Sequence, residues 1–362
     1  MDKTKKRKLS PQTRSDFITY GIVLVAFLLL QPMKMAGLLS SSLSGLLVPI
    51  CAYVVMAISL NLTVGVLGEL SLGHAGFMSV GAFSGVVAAA MMESSITSQP
   101  LRLFLAIVIG GLIAGIAGFV IGIPVLRLRG DYLAIVTLAF GEIIKNIINC
   151  LYVGFDSHGL HIGMKDSVSL GMEQGGRVLI NGPVGAVGVA KLSTFAAGFL
   201  LILFSLVVVL NMKRSRTGRA IMAVRDNRIA AESVGIPITR YKMTAFITSA
   251  ILAGMAGVLF AMNYTSLIAS KFDFNTSILV LVFVVLGGMG NIRGSIIATV
   301  ILYILPEMLR GLDDFRMLIY AIVLIAVMLI TNSDRVRQIR DKFLAKRQSR
   351  KEEAAEKGGK AA

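Results

Sequence analysis

Charged residues and tryptophan are scarce in this sequence. The chain has 362 residues, of which 15% are charged and 55% are hydrophobic, and it contains no tryptophan. A soluble domain of this length could not bury so much apolar surface, so the composition excludes a soluble globular protein. Without tryptophan, any aromatic belt at a membrane surface has to consist of tyrosine and phenylalanine. The scarcity of charge therefore indicates an integral membrane protein.

Residues that could form disulfides, metal sites or catalytic groups are also few. The two cysteines, Cys51 and Cys150, lie in or beside apolar runs and indicate reduced packing residues rather than a disulfide framework. The three histidines, His74, His158 and His161, have no cysteine or carboxylate partner at metal-ligand spacing. The sequence lacks a G-x-x-x-x-G-K-S/T loop, so the chain cannot bind and hydrolyse ATP by the P-loop route. We expect no enzymatic activity, cofactor or metal ion in this chain.

The long apolar runs predict an all-α membrane protein. Runs of about 20 residues recur along the chain, and each is long enough to cross ~30 Å of hydrocarbon as a helix. They predict about ten transmembrane helices within one membrane domain, 17–332. The predicted spans are 17–38, 43–66, 70–92, 101–123, 132–153, 193–212, 243–264, 275–290, 294–310 and 317–332.

The net charge of +16 is concentrated in clusters that flank the apolar runs. Such clusters remain on the cytoplasmic side of a membrane, and their position beside apolar runs argues against nucleic-acid binding. With ten crossings, this rule predicts that both termini are cytoplasmic. The expected cytoplasmic segments are a basic N-terminal arm (1–16), residues 126–130, a loop (213–242) and a basic, partly disordered tail (333–362), whereas 154–191 is expected outside.

Glycine interrupts two of the predicted spans. NLTVGVLGELSLGHAGFMSVGAF (61–83) and LVLVFVVLGGMGNIRGSI (279–296) place glycine and polar residues at or near membrane depth. Irregular backbone is tolerated there only where protein or a water-filled cavity satisfies its polar groups, and glycine-broken spans in both halves of a transporter indicate the transport path. A sharp turn at the membrane surface is the alternative for each segment. The candidate path residues are Glu69, Gly73, His74, Gly76, Phe77, Gly288 and Asn291.

Two ionisable residues within the predicted spans need partners. Glu142, a further candidate path residue, lies about 11 residues beyond Asp131, so near mid-membrane at ~1.5 Å per residue, where an unpaired charge is costly. Lys145 follows on the same helical face, so the sequence favours a structural pair of Glu142 with Lys145, or with Asn146. A lone buried histidine such as His74 is more often a hydrogen-bonded packing residue than a ligand or proton relay.

Small residues repeat every four positions in two of the spans. This spacing places them on one helix face, where they allow two backbones to approach closely. It predicts tight helix packing at Gly110, Ala114, Gly118 and Gly122, and at Ser249, Ala253, Gly257 and Ala261.

A basic insert with helix-forming residues separates two apolar runs. SRTGRAIMAVRDNRIAAESVGI (215–236) contains two short helix candidates, 217–224 and 227–234. Asp226 or Asn227 can cap the second helix, and Gly235 ends it.

The second helix candidate also predicts a docking surface. A helix of about eight residues is not stable alone, so it has to pack on something. Ile229, Ala230 and Val234 offer a small apolar face. This face favours docking of another protein over the alternative, a solvated basic loop.

The insert resembles part of a known protein family. GRAIMAVRDNRIAAESVGI is similar to the cytoplasmic coupling loop of the branched-chain (hydrophobic) amino-acid permeases of ABC importers. LGELSLGHAGFMSVGAF, LRLRGDYLAIVTLAFGEI and VVLGGMGNIRGS resemble the same family in the same order, so the resemblance covers most of residues 43–310. Two departures are visible: Glu69 stands where the family commonly has glutamine, and Ala139 where it often has glycine. Glu69 adds charge near the expected path.

The resemblance implies the ten-span fold of vitamin B12-type (type II) importer permeases, in the bacterial inner membrane. The implied partners are a second related permease, two cytoplasmic ATPases that bind ATP and magnesium, an extracytoplasmic binding protein and membrane lipid. The implied substrate is a branched-chain or other hydrophobic amino acid. Carried over by position, the ATPase-docking residues are Arg219, Asp226, Asn227, Ala230, Ala231, Glu232 and Gly235.

Other functions stay open at this point. A related permease for urea or short amides is the first alternative, although GHAGF and RDNRIAAESVGI are more similar to the amino-acid branch. An ion-coupled secondary transporter is disfavoured because only Glu142 and Lys145 are convincing intramembrane charges. A membrane scaffold or receptor would not need glycine-broken spans.

Overall fold

The protein is described by a computed structural model in which residues 11–38, 40–128, 130–156, 158–166, 170–172, 176–309, 311 and 315–332 are defined. The first ten residues of the predicted N-terminal arm and the whole predicted tail, 333–362, lie outside the described residues. The chain divides into two compact units, residues 1–300 and 301–362. In the second unit, helix α12 (Arg316–Asn332) exposes an apolar stripe that suits contact with lipid: Leu318, Ile322, Ile325 and Leu329.

One long helix lies within or across each predicted span. Among the described residues, seven helical stretches are long and apolar enough to cross a membrane. They contain α1, α2, α3, α4, α6, α9 and α10, and the last stretch, Ala269–Gly287, includes the 3-10 turn before α10. The crossings by α5, α11 and α12 stay predictions. The long helices are α1 (Pro11–Met35), α2 (Ser41–Asn61), α3 (His74–Met91), α4 (Gln99–Val125), α5 (Asp131–Asn149), α6 (Phe195–Arg214), α9 (Ile238–Ala261), α10 (Phe274–Gly287), α11 (Ile292–Met308) and α12. The insert forms two shorter ones, α7 (Arg216–Asp226) and α8 (Arg228–Ser233).

The core of the first unit consists of α2, α3, α4 and α9. Small residues bring these helices together, as their four-residue spacing predicts. A Cβ added at Gly257 would lie 2.0 Å from the carbonyl oxygen of Met78, and one added at Gly118 would lie 2.6 Å from the Cβ of Ala250. Real Cβ atoms do not approach so closely, so the packing depends on glycine at these crossings. Dispersion between closely spaced backbones replaces the hydrophobic effect, which is absent between helices in lipid.

A small antiparallel sheet lies beyond the helix ends, and the prediction of an all-α fold is wrong in this region. Its strands are β1 (Tyr152–Asp156), β2 (Gly159–Gly163), β3 (Arg177–Asn181), β4 (Ala186–Val187) and β5 (Ser266–Leu267), in the order β2-β1-β3-β4-β5. The predicted span 132–153 is also too long, because α5 ends at Asn149 and the chain enters β1. Cross-strand pairing satisfies the backbone groups of this segment, which a helix would otherwise have to satisfy internally.

The loops between the helices separate into two groups at opposite ends of the bundle. At the sheet end, Glu93 after α3 pairs with Arg177 of β3, and β5 after α9 pairs with β4. The other end, called the basic end here, comprises 65–73, 213–242 and 288–291. Three contacts join it: Asp16 with Arg214, Arg225 with Gly65, and Glu69 with Lys242. The number of crossings and their direction through the membrane stay predictions.

Candidate functional site

The insert at the basic end folds as two capped helices, as its sequence predicts. Ser215 begins α7, and its Oγ accepts a hydrogen bond from the backbone N–H of Gly218 at 3.1 Å. Asn227 separates the helices and caps α8, because its Oδ1 accepts from the N–H of Ala230 at 3.0 Å. Gly235 ends the segment with a φ of +81°, which favours glycine. The predicted cap at Asn227 and the predicted stop are thus confirmed.

The six-residue helix α8 has one exposed apolar side and one buried side. Ile229 is 81% exposed and Val234 is 74% exposed, and Ala230 lies with them at the surface. Ala231 differs, since it is 3% exposed and packs with Val224 of α7 and Ile238 of α9. The expectation that Ala231 presents a docking surface is therefore wrong: its side chain holds α8 on the rest of the chain. The remaining predicted docking residues are exposed: Arg219, Asp226, Asn227, Ala230, Glu232 and Gly235.

Lys213, in the last turn of α6, and Arg225, in α7, contact the glycine-broken segments directly. The segment 61–83 begins with a π-helical turn, Leu62–Leu67, which ends at Gly68 with a φ of +79°. Arg225 Nη1 donates to the carbonyl oxygen of Gly65 within this turn at 2.9 Å. Lys213 Nζ donates to the carbonyl oxygen of Gly290 in the second broken segment at 3.1 Å. The insert is thus bonded to the first irregular segment, and the end of α6, which directly precedes the insert, is bonded to the second.

The two broken segments also contact each other. The Oδ1 of the fully buried Asn61 accepts from the N–H of Gly290 at 3.0 Å, and its Nδ2 donates to Ser295 Oγ at 2.6 Å. A Cβ added at Gly65 would lie 2.2 Å from the nitrogen of Gly290, so this close approach needs glycine at position 65. Gly290 has a φ of +79°, which favours glycine at that position. The sequence pattern did not single out Asn61, although an amide side chain beside a glycine-rich turn is a recognisable signal.

Gly288 and Asn291 form a turn that starts α11. Gly288 has a φ of +92°, and its carbonyl accepts from the N–H of Asn291 at 2.9 Å. The Oδ1 of Asn291 accepts from the N–H of Gly294 at 3.4 Å. The segment is thus a sharp turn, but it is only partly buried, since Asn291 and Met289 are exposed.

Glu69 pairs with Lys242 at the basic end. The two side chains are 14% and 6% exposed, so the pair is largely removed from water. Lys242 lies in the first turns of α9, next to the insert. The negative charge by which this chain departs from the family pattern that it resembles is therefore neutralised by a cation in the same chain, rather than left free in a path.

The other candidate path residues of the first broken segment are buried between helices. A Cβ added at Gly73 would lie 2.1 Å from the carbonyl oxygen of Thr137, and one at Gly76 would lie 3.0 Å from the Cα of Gly141, so both glycines allow α3 to approach α5. Phe77 is 2% exposed. Within the described part of this chain these residues are packing residues.

His74 belongs to a polar cluster inside the core. It is fully buried, and its Nε2 lies 2.8 Å from Ser59 Oγ and 2.9 Å from Ser249 Oγ. Each serine Oγ also donates to the backbone carbonyl of the other serine at 2.7 Å. The cluster joins α2, α3 and α9, which agrees with the interpretation of His74 as a hydrogen-bonded packing residue.

Glu142 forms the predicted ion pair with Lys145. The side chains of the pair are 32% and 20% exposed. The other carboxylate oxygen, Oε1, accepts from the N–H of Phe274 at 3.2 Å, a contact that the sequence did not indicate. Because Phe274 is the first residue of α10, Glu142 satisfies one of the free N–H groups at the start of that helix. Its observed contacts are structural.

Comparison with known proteins gives strong matches over the same region. The high-affinity branched-chain amino acid transport system permease proteins LivM of Salmonella typhimurium and Escherichia coli are each 34% identical to this chain, over 76% of its length. The alignments cover 66% of each relative, slightly less than two thirds. The L-arabinose ABC transporter permease protein AraH of Azospirillum brasilense is 29% identical over 67% of this chain and 63% of its own length. No solved structure shows a significant match.

A family match extends across nearly the whole membrane domain. The family described as the permease component of branched-chain amino acid transport systems matches residues 42–331. That region contains both glycine-broken segments, the insert and the sheet. The chain therefore belongs to the branched-chain amino acid transport system permease family.

Proposed function

We propose that this chain is the transmembrane subunit of an ATP-driven importer that moves branched-chain or other hydrophobic amino acids across the bacterial inner membrane. The observation that carries the proposal is the exposed apolar side of α8, where Ile229 and Val234 are 81% and 74% exposed. Exposed apolar residues on a short, capped helix suit a partner that covers them. The substrate class follows from the names of the two relatives that are 34% identical.

The proposed arrangement in the membrane has ten crossings and the type II importer permease fold. We place the basic end in the cytoplasm, because it contains the lysine- and arginine-rich insert. The ion pair between Asp16 and Arg214 supports the same side for the start of α1. The sheet end is then extracytoplasmic, and both termini are cytoplasmic.

The proposed mechanism depends on partner subunits. One of two ATPases, which would hold ATP and magnesium, docks on α8, and the other docks on the second permease; the first moves the insert when ATP closes the pair. A second, related permease completes the translocation path, and a loaded binding protein docks at the sheet end. The binding protein has to favour one state of the complex, because equal affinity for two states shifts no population.

Two alternatives are weaker on specific grounds. A permease for urea or short amides would use the same machinery and differ in substrate only. It is weaker because the two relatives that are 34% identical are named for branched-chain amino acids. An ion-coupled transporter needs an ionisable group that can change its partners during transport. Glu142 is instead held by Lys145 and by the backbone of Phe274, which disfavours that role.

Reconstitution of the complex with its binding protein tests the function. ATP hydrolysis should rise only when the binding protein and a hydrophobic amino acid are both present. Ile229→Glu should abolish recovery of the ATPases with this chain, because it places a charge in an apolar contact. Ile229→Leu, the matched control, should retain them. Normal ATPase recovery and stimulation in Ile229→Glu would refute docking at α8.

Thiol labelling tests the orientation separately. In a Cys150→Ser background, an impermeant reagent should label Lys165→Cys from outside intact cells, and should label Ser233→Cys only after the membrane is opened. Both positions are exposed at opposite ends of the bundle. The reverse pattern would overturn the proposed orientation.

A further inference from the structure

At the basic end, the backbone carbonyls of Gly65 and Gly290 accept hydrogen bonds from side chains of α7 and of the last turn of α6. The π-helical turn Leu62–Leu67 ends at Gly68. The carbonyl groups in the last residues of this turn therefore have no N–H donor within the helix and need other donors. Arg225 supplies one to Gly65, and Lys213 supplies another to Gly290. A donor that carries a charge makes a stronger bond than a neutral donor. Two separate cations thus bind the two irregular segments.

We propose that Arg225 of α7 and Lys213 in the last turn of α6 form a clasp on the two glycine-broken segments. The start of α7 is bonded to the end of α6, because Arg219 Nη1 donates to the carbonyl oxygen of Arg214 at 2.9 Å, so movement of this corner displaces Gly65 and Gly290 together. The proposal rests on the proposed function, because it assumes that ATPases move the insert. It assigns Arg225 and Lys213 as positioning residues, since they contact backbone rather than substrate.

The guanidinium of Arg225 is held on three nitrogens. Its Nε and Nη2 donate to Asp226 Oδ1 at 2.9 and 2.8 Å, while Nη1 donates to Gly65. Its aliphatic chain crosses Gly68, where an added Cβ would lie 2.4 Å from Arg225 Cγ. Asp226 therefore fixes the direction of the guanidinium, and the absence of a side chain at Gly68 leaves room for it. Because the Arg225 side chain is held by these hydrogen bonds and by its contact with Gly68, we expect a displacement of α7 to move Gly65 as well.

The clasp is continuous with the exposed side of α8. Ala231 of α8 packs on Val224 of α7, next to Arg225 in the sequence. Asn61, the last residue of α2, accepts a hydrogen bond from the N–H of Gly290 and so connects the second broken segment to α2. Force applied to α8 therefore reaches Gly65 through α7 and Arg225, and it reaches Gly290 because the backbone of Gly65 lies against that of Gly290. A purely stabilising role for the two cations would not require this continuity.

The test measures coupling in the complete complex. Arg225→Met and Lys213→Met keep the aliphatic stems and remove the charged donors. Leucine taken up per ATP hydrolysed should fall about tenfold, the factor expected for one charge-assisted hydrogen bond, while hydrolysis itself persists. Lys213→Arg, which keeps a cationic donor, should restore coupling. Arg216→Met changes an exposed residue of α7, the helix that contains Arg225. It is the matched control, and neither the coupling ratio nor the rate of hydrolysis should change.

A second readout does not depend on the substrate. Met289 is 63% exposed beside Gly290, so Met289→Cys in a Cys150→Ser background reports on this segment. Its labelling should change with ATP in the otherwise unaltered complex and should become insensitive to ATP in Lys213→Met.

The outcomes separate the two proposals. If leucine uptake and ATP hydrolysis fall by the same factor in the variants, so that their ratio stays unchanged, the clasp is refuted. ATP-dependent labelling that persists in Lys213→Met, or that is absent from the unaltered complex, would also refute it. If the unaltered complex takes up no leucine, the proposed substrate fails, and the labelling experiment still decides the clasp.

Discussion

The ion pair between Glu69 and Lys242 gives the sharpest energetic prediction. Both side chains are largely buried, at 14% and 6% exposure. Replacing Glu69 with glutamine leaves the ammonium of Lys242 without its counter-charge in a place where water cannot replace it. Removal of one partner from a buried pair costs about 3 kcal/mol or more. We therefore expect Glu69→Gln to be strongly destabilising, although its shape is almost unchanged.

Removing both charges should undo most of this loss. Glu69→Gln combined with Lys242→Met keeps the volume of both side chains and leaves no buried charge. Uncharged replacements of a buried pair are often neutral or stabilising. The double variant should thus unfold at nearly the same temperature as the unaltered protein, with a coupling energy of about 2 kcal/mol or more between the two sites.

The buried thiol of Cys51 provides the assay. Cys51 is 3% exposed, so in a Cys150→Ser background a thiol-reactive dye reports its exposure on heating. A loss of ~3 kcal/mol corresponds to a fall of about 6 °C in midpoint, at ~2 °C per kcal/mol. Glu69→Gln with an unchanged midpoint would refute the reasoning, as would a double variant less stable than either single variant.

Three further predictions follow from individual contacts and use the same dye assay. Gly73→Ala should lower the midpoint by several degrees, because its Cβ would lie 2.1 Å from a carbonyl oxygen of α5, whereas Gly21→Ala, with nothing within 4 Å, should not. Glu142→Gln should cost about 1 kcal/mol, since the pair is partly exposed, and adding Lys145→Met should recover most of it. Asn227→Ala removes the cap of α8, so it should cost about 1 kcal/mol and reduce ATPase recovery; unchanged recovery would contradict the proposed role of α8.

The long helices and the insert could be predicted because their signals are local. Apolar length locates a membrane helix without knowledge of its neighbours, and it located the helices here to within a few residues at most ends. The cap at Asn227 and the stop at Gly235 depend on residues that are adjacent in the sequence. The pair of Glu142 with Lys145 needed only the helical repeat.

The remaining features depend on contacts between distant residues. Glu69 and Lys242 are 173 positions apart, and Gly65 and Arg225 are 160 apart, so no periodicity connects them. The helix α8 has only six residues, too few for a repeat to show which side is buried, and Ala231 was therefore assigned to the wrong side. The strands were missed because each has between two and five residues and gains its stability from pairing.

The strand order of the sheet has a consequence for biosynthesis. Strand β4 pairs with β5, which begins 79 positions after β4 ends (266 minus 187), and α6 to α9 lie between them. At ~5–20 residues per second, the ribosome needs about 4–16 s to make that stretch. During this interval the edge of β4 has to wait unpaired. Correct insertion of α6 and α9 is thus a precondition for closing the sheet, and a nascent chain stalled between them would present an open edge to chaperones or proteases.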